Sequence, residues 1–144
     1  MAQRPRRGGI ASRTVSVEIP FQKWQGLGNA YVIAEQAQWP VPITPARARV
    51  VCDPHFGIGS DGILEVRMQD DGPEMVVWNP DGSNAENCGN GIRMVARYLD
   101  VTGRLPADGR ILTGAGPVHV TVDGDVVAVQ MGRAVFPAGE GTEE

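Results

Sequence analysis

Residues 79–99 read NPDGSNAENCGNGIRMVARYL, a polar, glycine-rich loop that runs directly into a helical pattern. Ile92, Val95, Ala96 and Leu99 recur at the three- and four-residue spacing of a buried helix face, and Gly103 stands where a helix C-terminal glycine belongs. The spacing predicts a helix over about 90–101. Free cysteine is ordinarily a small buried hydrophobe, yet Cys88 sits in the loop immediately ahead of that helix. The first turn of a helix carries unpaired N–H groups and a partial positive charge, which stabilise a thiolate and lower its pKa. Gly89 and Gly91 let an anion approach the same N–H groups. A poised sulfur beside an anion cradle suggests acid/base or nucleophilic chemistry on a carboxylate substrate. Read locally, the segment is equally well a Gly-Asn-Gly turn with a tolerated cysteine.

Working outward, VSVEIPFQK at 15–23 reads as a strand, Gly26-Leu27-Gly28-Asn29 as a turn, and Tyr31-Val32-Ile33 as the antiparallel return. Thr44-Pro45 ahead of ARARVVC has the form of an N-cap followed by proline at the first helical position, and that helix should end by Asp53-Pro54. HFGIGSDG at 55–62 is loop, followed by strands at 63–68 and 74–78. The last third, RILTGAG, PVHVTV and DVVAVQM, alternates as strands, with an Asp123-Gly124 hairpin. This order predicts an α+β fold, a curved antiparallel sheet forming an open barrel around one central helix. The expected domain spans 15–136, between a disordered basic tail at 1–14 and a segment at 137–144 that reads as a polar tail or the start of a second domain.

Within 144 residues only one ordinary domain fits. A net charge of −4 and few aromatic residues argue against nucleic acid as a partner, and no apolar run is long enough to span a membrane. Cys52 and Cys88 lie far apart in unlike settings, which suits neither a disulfide framework nor a metal site and fits a reducing cytoplasm. Cys52, behind Val50-Val51 on a helix, reads as core. His55 and His119 sit in no triad setting and read as structural or exposed. Asn29 and Asn79, at turns, have amides that could hold a polar ligand, and Asp61 and Asp81 read as ordinary turn residues.

Taken together and in order, KWQGLGNAYVI, DPHFGIGSDGIL, NPDGSNAENCGNGIRMVARYL and VQMGRAVF resemble the first half of the diaminopimelate epimerases, over residues 21–136. The resemblance implies a cofactor-independent epimerase of the route to lysine and peptidoglycan. Two similar domains would face each other, and each would supply one cysteine to a two-thiol proton transfer that inverts the α-carbon. Carried over by position, Cys88 resembles the first acid/base cysteine. Asn29 and Asn79 resemble substrate-binding asparagines, and Gly89-Asn90 resemble the pair that holds a substrate carboxylate. The 56–62 loop would help shape the site.

The chain departs from the family pattern at Ala30, where aspartate normally follows Gly-Leu-Gly-Asn, at Gln25, where histidine is common, and at Asn84, where glutamate usually follows the turn. These changes motivate a related amino-acid racemase or isomerase of the same fold as an alternative. Nothing here resembles a second cysteine site, so the expected partners are the small-molecule substrate and a second domain in cis or trans, with a homodimer also open. The missing thiol motivates a third reading, a non-catalytic half that serves as a binding module.

Overall fold

The computed structural model describes residues 18–133. The basic segment 1–14, the start of the expected first strand at 15–17 and the polar segment 137–144 lie outside the described residues. The chain runs β1 (Gln22–Gly26), β2 (Asn29–Glu35), a 3-10 turn (Gln36–Gln38), α1 (Pro45–Cys52), β3 (Ile63–Gln69), β4 (Gly72–Trp78), β5 (Asn84–Ala85), α2 (Gly89–Val101), β6 (Arg110–Thr113), β7 (Gly116–Asp123) and β8 (Val126–Gln130).

The strands form one sheet in the order β1-β2-β3-β4-β6-β7-β8, with β5 added beside β4. The sheet curls around α2, which packs against β1 through β4 and against β7 and β8. The α+β architecture is the expected one, but the sheet is mixed rather than wholly antiparallel. The pairs β2–β3 and β4–β6 are parallel. The physical reason is the helices: α1 carries the chain from β2 to β3 and α2 carries it from β4 to β6, and a crossover of this kind returns the next strand in the same direction.

Alternation along the strands sorts the core into two layers. Tyr31, Ile33, Leu64, Val66, Met75 and Val77 point towards α2 and meet Ile92, Val95 and Leu99. Val32, Ala34, Ile63 and Trp78 point the other way and pack with Ala48 and Cys52 of α1. Cys52 is thus the core residue its sequence setting suggests.

Both helix boundaries follow local rules. Thr44 caps α1, its Oγ1 accepting from the Arg47 N–H at 3.3 Å, with Pro45 in the first turn. At the end of α2, Gly103 adopts φ +68°. The Arg104 N–H reaches back to the Leu99 carbonyl and the Gly103 N–H to that of Asp100, the paired bonds of a Schellman motif.

The first hairpin is tighter than the expected four-residue turn. Gly26 pairs with Asn29, so Leu27 and Gly28 alone make the bend, both at positive φ. Among the described residues the strand before it begins at Gln22, after Pro20, which has no N–H to add to a ladder. The Pro20 carbonyl instead accepts from the Trp39 indole at 3.1 Å. Among the described residues no helix is long and apolar enough to cross a membrane.

Candidate active site

Register collects the site at one rim of the sheet. β2 and β3 run parallel from Val32 and Ile63, and Ile63 in turn pairs with Trp78 near the end of β4. The residues just outside those pairs, Asn29 to Tyr31, Asp61-Gly62 and Asn79, therefore share the rim at which α2 begins.

Cys88 is the N-cap of α2, half-buried and in extended backbone, and its Sγ accepts from the Gly91 N–H at 3.3 Å. The Tyr31 hydroxyl lies 3.4 Å from the same sulfur. Gly91 is glycine because there is no room for more: a Cβ there would lie 2.8 Å from Leu64 Cδ2 and 3.2 Å from Cys88 Sγ. Gly89 and Asn90, the first residues of the helix, have N–H groups with no intrahelical acceptor.

A chain of side-chain hydrogen bonds crosses the rim beside the sulfur. Arg93 Nη2 donates to Asn90 Oδ1 at 3.0 Å, and Asn90 Nδ2 donates to Asn29 Oδ1 at 2.8 Å. Asn29 Nδ2 then donates to Asp61 Oδ2 at 3.4 Å, and the same oxygen accepts from the Ala30 N–H at 2.7 Å. Asp61 thus holds the loop at Asn29 in a chain with alanine at position 30. From Asn90 and Arg93 a cleft of about 300 Å³ runs along α2 between β1 and β8, past Trp24, Gln25, Arg97 and Val127.

The structure therefore brings together Cys88, Gly89, Asn90 and Asn29 of the expected site. Asn79 shares the rim but spends its amide locally, donating to Ser83 Oγ at 2.9 Å within its own turn. Asn84, another departure, donates to the Val77 carbonyl at 3.1 Å. His55 and His119 are both exposed. His119 contacts the Asp108 carbonyl at 3.2 Å, away from the cysteine.

Sequence reading missed three participants: Tyr31, Asp61 and Arg93. A signal existed for Tyr31. Strand alternation sends it to the helix face with Ile33, where a phenol hydroxyl needs a polar partner. Asp61 was covered only as part of the 56–62 loop, and its own role was not legible because its bond to Ala30 spans 31 residues.

A family model described as diaminopimelate epimerase matches residues 21–137. A diaminopimelate epimerase of Acidovorax ebreus is 42% identical over 123 residues, covering 81% of this chain and 42% of that protein. One from Streptomyces coelicolor is 38% identical over 140 residues, covering 88% of this chain and 48% of the relative. The chain thus spans less than half the length of these curated relatives. Among solved structures, a phenazine biosynthesis protein of the PhzF family from Enterococcus faecalis superposes with a TM-score of 0.52 at 15% identity, over 67% of this chain and 35% of that one. A PhzC/PhzF protein from Clostridium difficile gives 0.53 at 14% identity, over 74% and 40%. These two likenesses concern the fold alone. With a family model matched from Phe21 to the end of the last described strand and beyond, and a cysteine-capped helix at the centre of the match, the chain belongs to the diaminopimelate epimerase family.

Proposed function

We propose that this chain supplies one half-site of a cofactor-independent epimerase that interconverts LL- and meso-diaminopimelate. Cys88 acts as one of two acid/base thiols. As thiolate it takes the α-proton, while a thiol from a second, similar half protonates the carbanion on the opposite face. When Cys88 starts as the thiol, the roles exchange. Inversion demands acid and base on opposite faces, and thiols titrate close enough to neutrality to serve as either. The observation that carries this reading is the position of Cys88 as N-cap of the central helix, beside free N–H groups and the Asn29–Asn90 pair.

In this reading Gly89 and Asn90 hold the substrate carboxylate at the helix start, Asn29 contacts the amino acid from the rim, and Asn79 reaches it only with the amide oxygen and the one N–H that its bond to Ser83 leaves over. The second half is needed for turnover, so the chain alone is inactive. Support comes from its relatives, which are about twice as long, and from the sheet, whose edge strands β1 and β8 leave α2 reachable between them. The role places the protein in lysine and peptidoglycan precursor synthesis in the cytoplasm, where its free cysteines stay reduced.

The test is a chimera that continues this chain with the second half of the Acidovorax relative, incubated with LL-diaminopimelate in heavy water. Deuterium should enter the α-carbon as the meso form accumulates. Cys88→Ser should lower that rate by about 10²–10⁴-fold, the usual weight of a positioned acid/base group. A Cys88→Ser chimera with undiminished exchange would remove Cys88 from the mechanism. Exchange of other amino acids but not diaminopimelate would transfer the assignment to a related isomerase.

A further inference from the structure

The geometry points to Tyr31 as a positioning residue for the Cys88 sulfur: its hydroxyl and the Gly91 N–H together fix the sulfur at the rim, and the hydroxyl donates to Sγ whenever Cys88 is the thiolate. The inference rests on Cys88 being an acid/base thiol and adds the group that holds it.

Three observations carry it. First, the two hydrogen-bond partners of the sulfur come from different elements, Tyr31 from β2 and Gly91 from α2, at 3.4 and 3.3 Å. The sulfur is therefore held across the sheet–helix junction, and rotation about the Cys88 side chain would break one contact or both. Second, the phenol has no freedom to turn elsewhere. Tyr31 is only 8% exposed, and Gly62 lies so close over its ring that an added Cβ would sit 2.8 Å from Cε1. Third, a thiol at Cys88 can donate to the phenol oxygen, but a thiolate can only accept, so the direction with the thiolate is from the phenol to the sulfur provided the phenol keeps its proton. Burial raises its pKa, and the hydrogen bond to Cys88 and the Cys88 and Asp61 charges add to the rise. The hydroxyl thus keeps its proton throughout the neutral range. Among the described residues, the Cys88 sulfur is its hydrogen-bond partner, and a thiolate accepts more strongly than a thiol.

The surrounding charges do not replace it. Asp61, from the loop before β3, disfavours an anion here. Arg93, on the next turn of α2, is committed to Asn90, and Glu86 of the preceding loop is exposed. Replacing Tyr31 by phenylalanine leaves all three in place and removes one oxygen.

The experiment is the rate of Cys88 alkylation by iodoacetamide as a function of pH, followed by mass spectrometry of the Cys88 peptide so that Cys52 does not contribute. Tyr31→Phe should move the midpoint up by about one pH unit, the size expected on losing a hydrogen bond to an ionised group. An unchanged or lowered midpoint overturns the inference. If the phenylalanine variant does not fold, 3-fluorotyrosine replaces Tyr31 and the distant Tyr98 in the native chain. The more acidic phenol donates more strongly and should lower the midpoint; no shift overturns the inference equally. Thiol reactivity is read here without turnover, so this result stands apart from the Cys88→Ser test of the acid/base role.

Discussion

At the C-terminal end of α2, the Glu35 carboxylate accepts from the Tyr98 hydroxyl, from Arg104 and, at 3.1 Å, from Gln38. Arg104 also stacks over the Tyr98 ring, 5.4 Å from its centroid, and Trp24 meets that ring edge-on. The Thr102 hydroxyl donates to the Tyr98 carbonyl at 2.8 Å. At the N-terminal end the polar groups are as numerous, but they are not used up. Cys88, Gly89 and Asn90 are half-buried, and the first N–H groups of the helix have no acceptor within it. The same helix is closed by its polar groups at one end and left receptive by them at the other. A closed network contributes to folding. A network with donors to spare can take up water or a ligand.

That contrast fails if the receptive end is merely loose. Gly62→Ala tests this with the largest expected effect on stability. A Cβ at Gly62 would fall 2.6 Å from the Trp78 carbonyl oxygen and 2.8 Å from the Tyr31 ring. Neither neighbour can yield without moving a strand or the partner of Cys88. The variant should lose about 3 kcal/mol, seen as a lower urea midpoint at unchanged slope. A loss below about 0.5 kcal/mol, the ordinary range for an exposed site, would show the rim to be soft.

Arg104→Met sharpens the other side. It removes the cation from a carboxylate that is 8% exposed but leaves Tyr98 and Gln38 in place, so the expected cost is about 2 kcal/mol. The variant should not change alkylation of Cys88. The pH dependence follows from Glu35, whose carboxyl Arg104 holds below the ordinary carboxylate range. A depressed folded-state pKa contributes stability that is complete above the unfolded value, about 4.3, and is lost as pH falls through the lower folded value. Wild type should therefore weaken more steeply than Arg104→Met as pH drops below about 4. Parallel urea midpoints at neutral and acid pH would contradict the pairing.

The two ends also differed in how readily the sequence disclosed them. Helix α2, the Thr44-Pro45 start of α1, the Gly103 terminus and the last hairpin all rest on signals within a few residues of one another. Local reading placed them to within a residue or two. The parallel pairings escaped it because a strand's direction depends on the crossover before it, and the alternation pattern is the same either way. Cys88, Gly89 and Asn90 were legible because the helix start that gives them meaning is encoded beside them. Asn29 was found, but not the partner that holds it, since its bond to Asn90 spans 61 residues. Tyr31 to Cys88 spans 57. Glu35 and Tyr98, 63 apart, were missed for the same reason.

The smallest expected effect concerns the direction of the amide chain. Arg93 at one end can only donate and the Asp61 carboxylate at the other can only accept, so Asn90 and Asn29 between them can point only one way. Each spends its oxygen and one N–H on a neighbour and keeps one N–H free. On the proposed reading the rim thereby offers the substrate carboxylate donors and no competing acceptor from these two residues. Asp61→Ala would remove the oxygen that both the Asn29 amide and the Ala30 N–H use, so the loop that carries Asn29 would lose its anchor at the rim. In the completed enzyme, KM should rise about fivefold with kcat nearly unchanged, as for a contact of about 1 kcal/mol made equally in ground and transition states. An unchanged KM would mean that the carboxylate is held by the helix N–H groups alone. An equal fall in kcat and kcat/KM would instead make Asp61 a group felt only in the transition state.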